Sequence, residues 1–215
     1  IFLLRWKAEG RRDFVRFGIS LGLAALALIV AIRTPFDPIK LVSGVFRYGT
    51  PTLTGGASVN YYKDGKTASI AVVSAPNGSM NISTNGKPDA AIMMAANGEP
   101  TDDEFTMAML AALPLSLSNK PKNIGVIGFG SGMTTHSLLG DDRVERVDTI
   151  EIERAMIDGA KAFGERVERA FNDDRSHIVI DDAKAYFSGR NIKYDIIISE
   201  PSIPLISSVG ALCSK

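Results

Sequence analysis

The sequence has 215 residues, with 24 basic and 24 acidic side chains, enough for one full domain or for a small one plus part of another. The balanced charge gives no global signature of nucleic-acid binding, and a hydrophobic content of 45% excludes a disordered chain. A single cysteine, Cys213, rules out an internal disulfide and a cysteine-based metal site. His136 and His177 stand far apart, so a helix-surface and a strand-start role are expected of them and no metal is expected.

The first element is apolar. Phe17 to Ile32, FGISLGLAALALIVAI, is uncharged and bracketed by Arg16 and Arg33. It falls just short of the ~20 residues that cross a bilayer, within tolerance if the arginines snorkel. We read residues 1–33 as a basic loop and a transmembrane helix; a buried core helix or a signal-peptide core are the alternatives. AIRTPFDP offers no small-residue cleavage site, which counts against the last. Arg5, Lys7, Arg11, Arg12 and Arg16 favour the cytoplasmic side for the loop. The residues after Ile32 would then emerge on the opposite face. The absence of Met at position 1 and the unfinished pattern at Lys215 point to a piece of a longer chain.

Residues 34–44 read as a linker, since the two prolines of TPFDP end the helix. Residues 45–118 read as a small antiparallel β-meander with a closing helix. ASVNYYKDGKTASIAVVS is two β-rich runs around Asp64-Gly65, a pair that favours a type I′ hairpin, and Asn77-Gly78 and Asn85-Gly86 repeat the device. The helix is expected from Asp102 to Leu117, opened by a capping box between Thr101 and Glu104.

Residues 119–215 alternate strand and helix: NIGVIGFG, SGMTTHSLLG, RVDTIEIE, RAMIDGAKAFGERV, HIVIDDA, YDIIISE. Such alternation predicts a doubly wound parallel sheet with helices on both faces. The continuous apolar runs VIGF, IVI and DIIIS are those of strands buried on both sides. The fold class is therefore α/β, with a meander before a methyltransferase-like sheet that is cut short at its C-terminal end.

Gly128 to Gly132, GFGSG, lies between a strand and a helix, where glycines allow close approach and the helix N-terminus presents free amides. Met133 stands where a dinucleotide fingerprint requires its third small residue, so G-x-G-x-G fits the loop of S-adenosylmethionine-type folds instead. Glu151 ends the second strand, placed for both hydroxyls of a ribose. Asp182 ends the third, placed for an adenine amino group, and Glu200 ends the fourth. Ligands of open α/β sheets bind beyond these strand ends. Ile152 is expected either to pack on the adenine or to join the core.

NGKPDA, the DDEF…LPL helix, VIGFGSG, TIEIE, DDA and DIIISEPS together resemble the spermidine synthase (polyamine aminopropyltransferase) family. FDPIKLVSGVFRYG and the apolar start are similar to its bacterial branch, in which the domain follows transmembrane helices. The resemblance implies transfer of an aminopropyl group from decarboxylated S-adenosylmethionine to a putrescine-like amine, with no tightly bound cofactor. It implies Glu200 as the proton acceptor. Gly128, Phe129, Gly130, Ser131, Gly132, Glu151, Ile152, Asp182 and Ala183 would hold the nucleoside, and Asp103 and Ser202 would contact substrate. It also implies a bacterial inner membrane location and a homodimer. A sulfonium donor made in the cytosol is at odds with the orientation read from the basic loop.

The departures all lie on the amine side. Ile203 replaces the second acid of the family's D-S-x-D-P, and Ser131 replaces the acid of its glycine loop. Met107-Ala108-Met109 stands for a Tyr-Gln-Glu run, and Thr67-Ala68 for a Tyr-Gln pair. A cationic polyamine needs carboxylates to offset its desolvation. Two alternatives to aminopropyl transfer stay open. One is an S-adenosylmethionine-dependent methyltransferase, against which Val126 stands where many carry an acid. The other is a non-catalytic nucleoside-binding domain attached to a membrane transporter.

Overall fold

The computed structural model describes residues 10–33, 37–53 and 55–199. The chain divides into two units, residues 1–37 and 38–215. In the first, α1 (Gly10–Arg33) is a single helix. Its stretch Arg16–Arg33 has a mean hydropathy of 1.8 and none of it is buried, so it is long and apolar enough to cross a membrane.

The second unit begins with two short helices, α2 (Pro38–Val42) and α3 (Val45–Tyr48), where the sequence suggested linker followed by strand. Gly44 and Gly49, both left-handed, bracket α3 and supply the turns that Cβ-bearing residues resist. Four antiparallel strands follow in sequential order: β1 (Ser58–Asp64), β2 (Ser69–Ser74), β3 (Ser79–Thr84) and β4 (Lys87–Met93).

Their turns only partly match expectation. Asn85 and Gly86 form the two-residue left-handed link between β3 and β4, with φ of 50° and 76°. Asp64-Gly65 makes no such turn: Asp64 pairs with Ser69, and Gly65 to Ala68 form a four-residue loop closed by the Gly65 N–H on Ala68 O at 2.9 Å. The physical reason is a carboxylate from the other sheet layer. Glu153 accepts hydrogen bonds from Thr67 in that loop, and a Cβ on Gly65 would stand 2.2 Å from it.

α4 (Asp102–Leu117) opens with the expected capping box: Thr101 accepts from the Glu104 amide at 3.2 Å, and Glu104 from the Thr101 amide at 3.0 Å. Glu104 also pairs with Arg166. The second sheet is parallel, β5 (Asn123–Ile127), β6 (Arg146–Glu151), β7 (Ser176–Ile180) and β8 (Ile196–Ser199), in the order β7-β6-β5-β8. Strand order reverses at β5, the position where open α/β sheets bind ligands. The helices between these strands are α5 (Met133–Leu138), α6 (Arg154–Ala160), a 3₁₀ segment (Lys161–Val167), α7 (Glu168–Asn172) and α8 (Ala183–Gly189).

Helices cover both faces. On one, Ala111 and Leu115 of α4 and Leu138 of α5 pack on Ile124, Val126 and Ile198; on the other, Ala183 and Tyr186 of α8 pack on Ile150. The main core joins the two sheets: Ile70, Val72, Ile82 and Ile92 of the meander meet Met107, Phe129, Met156 and Phe163. Burying the four meander side chains alone stabilises by on the order of 10 kcal/mol, so the meander is welded onto the parallel sheet. A polar network reinforces the sheet's centre, where fully buried Asp148 accepts from Tyr194 Oη at 2.6 Å and from Arg146 Nε at 2.8 Å.

Candidate active site

Three backbone turns meet at the tip of β6. Gly128 N–H donates to Ile150 O at 2.9 Å, and Asp181 N–H, at the exit of β7, donates to Glu151 O at 3.1 Å. Phe129 N–H donates to Glu151 Oε2 at 3.0 Å, and Glu153 N–H to Glu151 Oε1 at 2.9 Å. Each carboxylate oxygen thus has an amide partner. Burial pushes the Glu151 carboxyl above the usual carboxylate range, although the amides of Glu153, Phe129 and Ile152 pull the other way. The tip of β8 lies on the opposite flank, where Ser199 pairs with Ile127, the residue before Gly128.

The glycine loop takes this shape because Gly128, Gly130 and Gly132 all have left-handed φ, of 89°, 52° and 87°, and side chains are disfavoured there. Gly132 caps α5, and a Cβ on it would stand 2.8 Å from the Phe129 ring. A Cβ on Gly130 would meet Ala90 of β4 at 3.8 Å, so the meander lies against the loop.

The sequence-predicted residues sort into two groups. Gly128, Phe129, Gly130, Gly132 and Glu151 come together as described, Phe129 through its amide while its ring is in the core. Ile152 is 54% exposed just beyond the tip of β6, available to a flat ligand and not part of the core. Asp182 does not end β7: it is the N-cap of α8, two residues past the strand, where its Oδ1 accepts from the Ala185 amide at 2.8 Å. The helix start needs that acceptor, and the carboxylate remains exposed. Ala183 packs its methyl into the core, which leaves only its backbone for a ligand. Ser131 is fully buried, donating to Met107 Sδ at 3.2 Å.

Asp103, in the first turn of α4, is raised by burial, with Ala91 N–H opposing and the charges of Asp102 and Asp89 adding. Glu200 and Ser202 lie outside the described residues. His136 is on α5 and contacts Arg169, and His177 is the second residue of β7. Among the described residues no cluster suited to a metal occurs. A cavity of about 530 Å³ opens between α4 and α5, lined by Ala108, Ala111 and Asp141 among others and by none of the predicted site residues.

Sequence reasoning missed two acids. Glu153 of TIEIE caps α6 on Ala155 N at 3.0 Å while holding Thr67 at 2.8 Å. Burial opposes its charge, but the donors of Thr67, Ala155 and Ala68 outweigh this and bring its pKa down to about 2. Its place one residue before α6, a usual N-cap site, was the available signal. Asp89 of NGKPDA, salt-bridged to Lys87 at 3.0 Å, adds its charge to the raised carboxyls of both Glu151 and Asp103.

A parallel sheet with its order reversing at β5, a glycine loop there and a meander packed against it define a methyltransferase-like α/β fold with an added antiparallel layer. Residues 104–210 match the model of the spermine/spermidine synthase domain, and the chain belongs to that family. It is 31% identical over 109 residues to a polyamine aminopropyltransferase of Caldicellulosiruptor bescii, which covers 50% of this chain and 39% of that protein. Over 132 residues it is 30% identical to the polyamine aminopropyltransferase of Thermotoga maritima, covering 60% and 45%. Among solved structures it resembles a spermidine synthase in complex with the transition state analogue AdoDATO, with a TM-score of 0.63 and 24% identity, covering 73% of this chain and 50% of that one. The spermidine synthase of Thermotoga maritima gives a TM-score of 0.58 and 25% identity, covering 66% and 48%. The chain thus spans half or less of the length of these relatives.

Proposed function

We propose that this domain binds an adenosyl sulfonium compound and, as part of the whole protein, transfers its aminopropyl group to an amine in polyamine biosynthesis. The observation that carries the reading is the Glu151 carboxylate, held at the tip of β6 by the Phe129 and Glu153 amides beside the glycine loop. That geometry suits the paired hydroxyls of a ribose. Gly128 to Gly132 would pass beneath the thioether chain, Ile152 would cover the adenine, and the Asp182 loop would reach its amino group. Decarboxylated S-adenosylmethionine is the donor that the family supports.

Glu200 follows Ser199 directly and would accept the proton of the attacking amine, which must be neutral to reach the carbon beside the sulfonium. The C–S bond breaks as the C–N bond forms, releasing methylthioadenosine. Titration with methylthioadenosine, S-adenosylmethionine and its decarboxylated form tests this reading. Glu200→Gln should abolish product while leaving nucleoside affinity nearly intact, and unchanged turnover would refute the role of Glu200.

One observation favours a second reading, nucleoside binding without transfer. Ser131, at the position of the family's loop acid, is buried against Met107, which leaves the amine side poor in carboxylate. Tight binding of all three compounds without turnover of any amine would support it. Methyl transfer to any acceptor would instead point to a methyltransferase.

α1 supports a membrane tether ahead of the domain, on the strength of its length, hydropathy and full exposure. Resistance of the full chain to alkaline extraction from membranes would support the tether, and release into the soluble fraction would exclude it.

A further inference from the structure

We propose that α2 and α3 form a lipid-contacting foot that rests on the bilayer surface. This inference rests on the membrane tether proposed for α1. The segment is seated on the meander through its middle: Val42, Ser43 and Gly44 are buried, with Val42 in a small cluster with Ala71 and Val73. Gly44 backs onto Gly86, where a Cβ would meet it at 2.7 Å. The flanking apolar side chains are turned outward. Ile39 and Leu41 of α2 are exposed, Val45 is 50% and Phe46 75% exposed. Of these apolar side chains Val42 is the buried one.

Two further observations commit this surface to lipid. Lys40 and Arg47 sit among the apolar residues, and basic residues interleaved with exposed Phe, Leu and Ile are the composition of a segment lying at an anionic interface. The candidate span ends at Arg33, and the few residue steps from there to Pro38 reach at most about 18 Å. A tether of that length lets the segment reach the headgroup region, the environment suited to an aromatic ring such as that of Phe46 and to the long stems of Lys40 and Arg47.

The test uses the full chain in vesicles of phosphatidylcholine and phosphatidylglycerol, with Trp6→Phe removing the single native tryptophan. On that background a tryptophan is placed at one position at a time. Phe46→Trp is expected to show blue-shifted emission, quenched more by lipids brominated near the headgroup end of the acyl chain than at mid-chain. Leu41→Trp should behave alike, and Leu26→Trp, inside α1, should be quenched most by mid-chain bromine. Adding Lys40→Glu and Arg47→Glu should reduce quenching of the Phe46→Trp variant in the anionic vesicles and leave that of the Leu26→Trp variant unchanged. If Leu26→Trp is quenched while Phe46→Trp and Leu41→Trp are not, the foot is refuted and the tether stands; loss of quenching in all three refutes the tether. Blue-shifted emission from Phe46→Trp without bromine quenching means that protein, from a partner or a second copy, covers the surface, and this also overturns the proposal.

Discussion

Glu153 accepts two hydrogen bonds from Thr67, one from its N–H and one from its hydroxyl, both at 2.8 Å. It thereby ties the β1–β2 loop of the meander to the N-terminus of α6 in the parallel-sheet layer. Glu153→Ala strands the Thr67 and Ala155 amides and is expected to cost roughly 2–4 kcal/mol, read from the urea midpoint. Because its pKa of about 2 lies below the ordinary 4.5, its stabilisation is complete above pH 4.5 and is lost as pH falls toward 2. Full loss amounts to no more than about 3.5 kcal/mol. A stability difference between wild type and Glu153→Gln that stays constant across this window would contradict the clamp.

Glu151 sets the second expectation. Glu151→Gln keeps the shape but turns an NH₂ donor toward either the Phe129 or the Glu153 amide, so affinity for methylthioadenosine should fall about 10- to 100-fold by calorimetry. Burial raises the carboxyl, so the wild-type site takes up its proton above the usual carboxylate range. Affinity should decline there as pH falls, before ordinary carboxylates titrate. A pH-independent affinity down to the ordinary carboxylate range would remove Glu151 from the ribose.

The glycines of the loop should not be equivalent. Gly130→Ala has room, with 3.8 Å to Ala90, whereas Gly132→Ala places its methyl 2.8 Å from the Phe129 ring at a φ of 87°. We expect about 1 kcal/mol for the first and about 2–4 kcal/mol for the second, measured by denaturant unfolding. Equal losses would show that backbone conformation alone governs the loop.

Ser131→Asp tests whether the amine side has been filled in. The Ser131 hydroxyl is buried against Met107 Sδ at 3.2 Å, so a carboxylate there meets sulfur and core. The variant should be destabilised and gain no affinity for a diamine. Tighter diamine binding by the variant would mean that the pocket still opens toward residue 131.

Much of this architecture is written in local pattern. The strand–helix alternation, the Thr101–Glu104 box and the glycine loop each follow from short-range rules and stand in the structure. The runs IVI and DIIIS, by contrast, are not buried on both sides: β7 is half-buried along its length and Ile197 of β8 is 57% exposed. Asp64-Gly65 misled because its turn is decided by the contact between Thr67 and Glu153, 86 positions apart along the chain, and no local rule carries that contact. Asp182 stands two residues past β7 for a local reason: it caps α8 through Oδ1 on the Ala185 amide, and its carboxylate stays exposed. Ser131 and Met107 were noted as separate substitutions, but only packing shows that they touch. Residues 38–48 read as linker and strand because Val42, the one apolar side chain buried among the described ones there, leaves no periodicity to detect.

The Asn85-Gly86 turn bears on how the purified protein ages. Asn-Gly pairs cyclise through attack of the glycine nitrogen on the asparagine carboxamide, ending in isoaspartate. Here the Asn85 carboxamide oxygen is held by the Ser69 amide at 2.9 Å, which restrains the carboxamide and slows that chemistry. Should the conversion occur, it would lengthen the main chain beside the Gly44 seat, and damage to one hairpin would loosen the hold of the meander on α2 and α3.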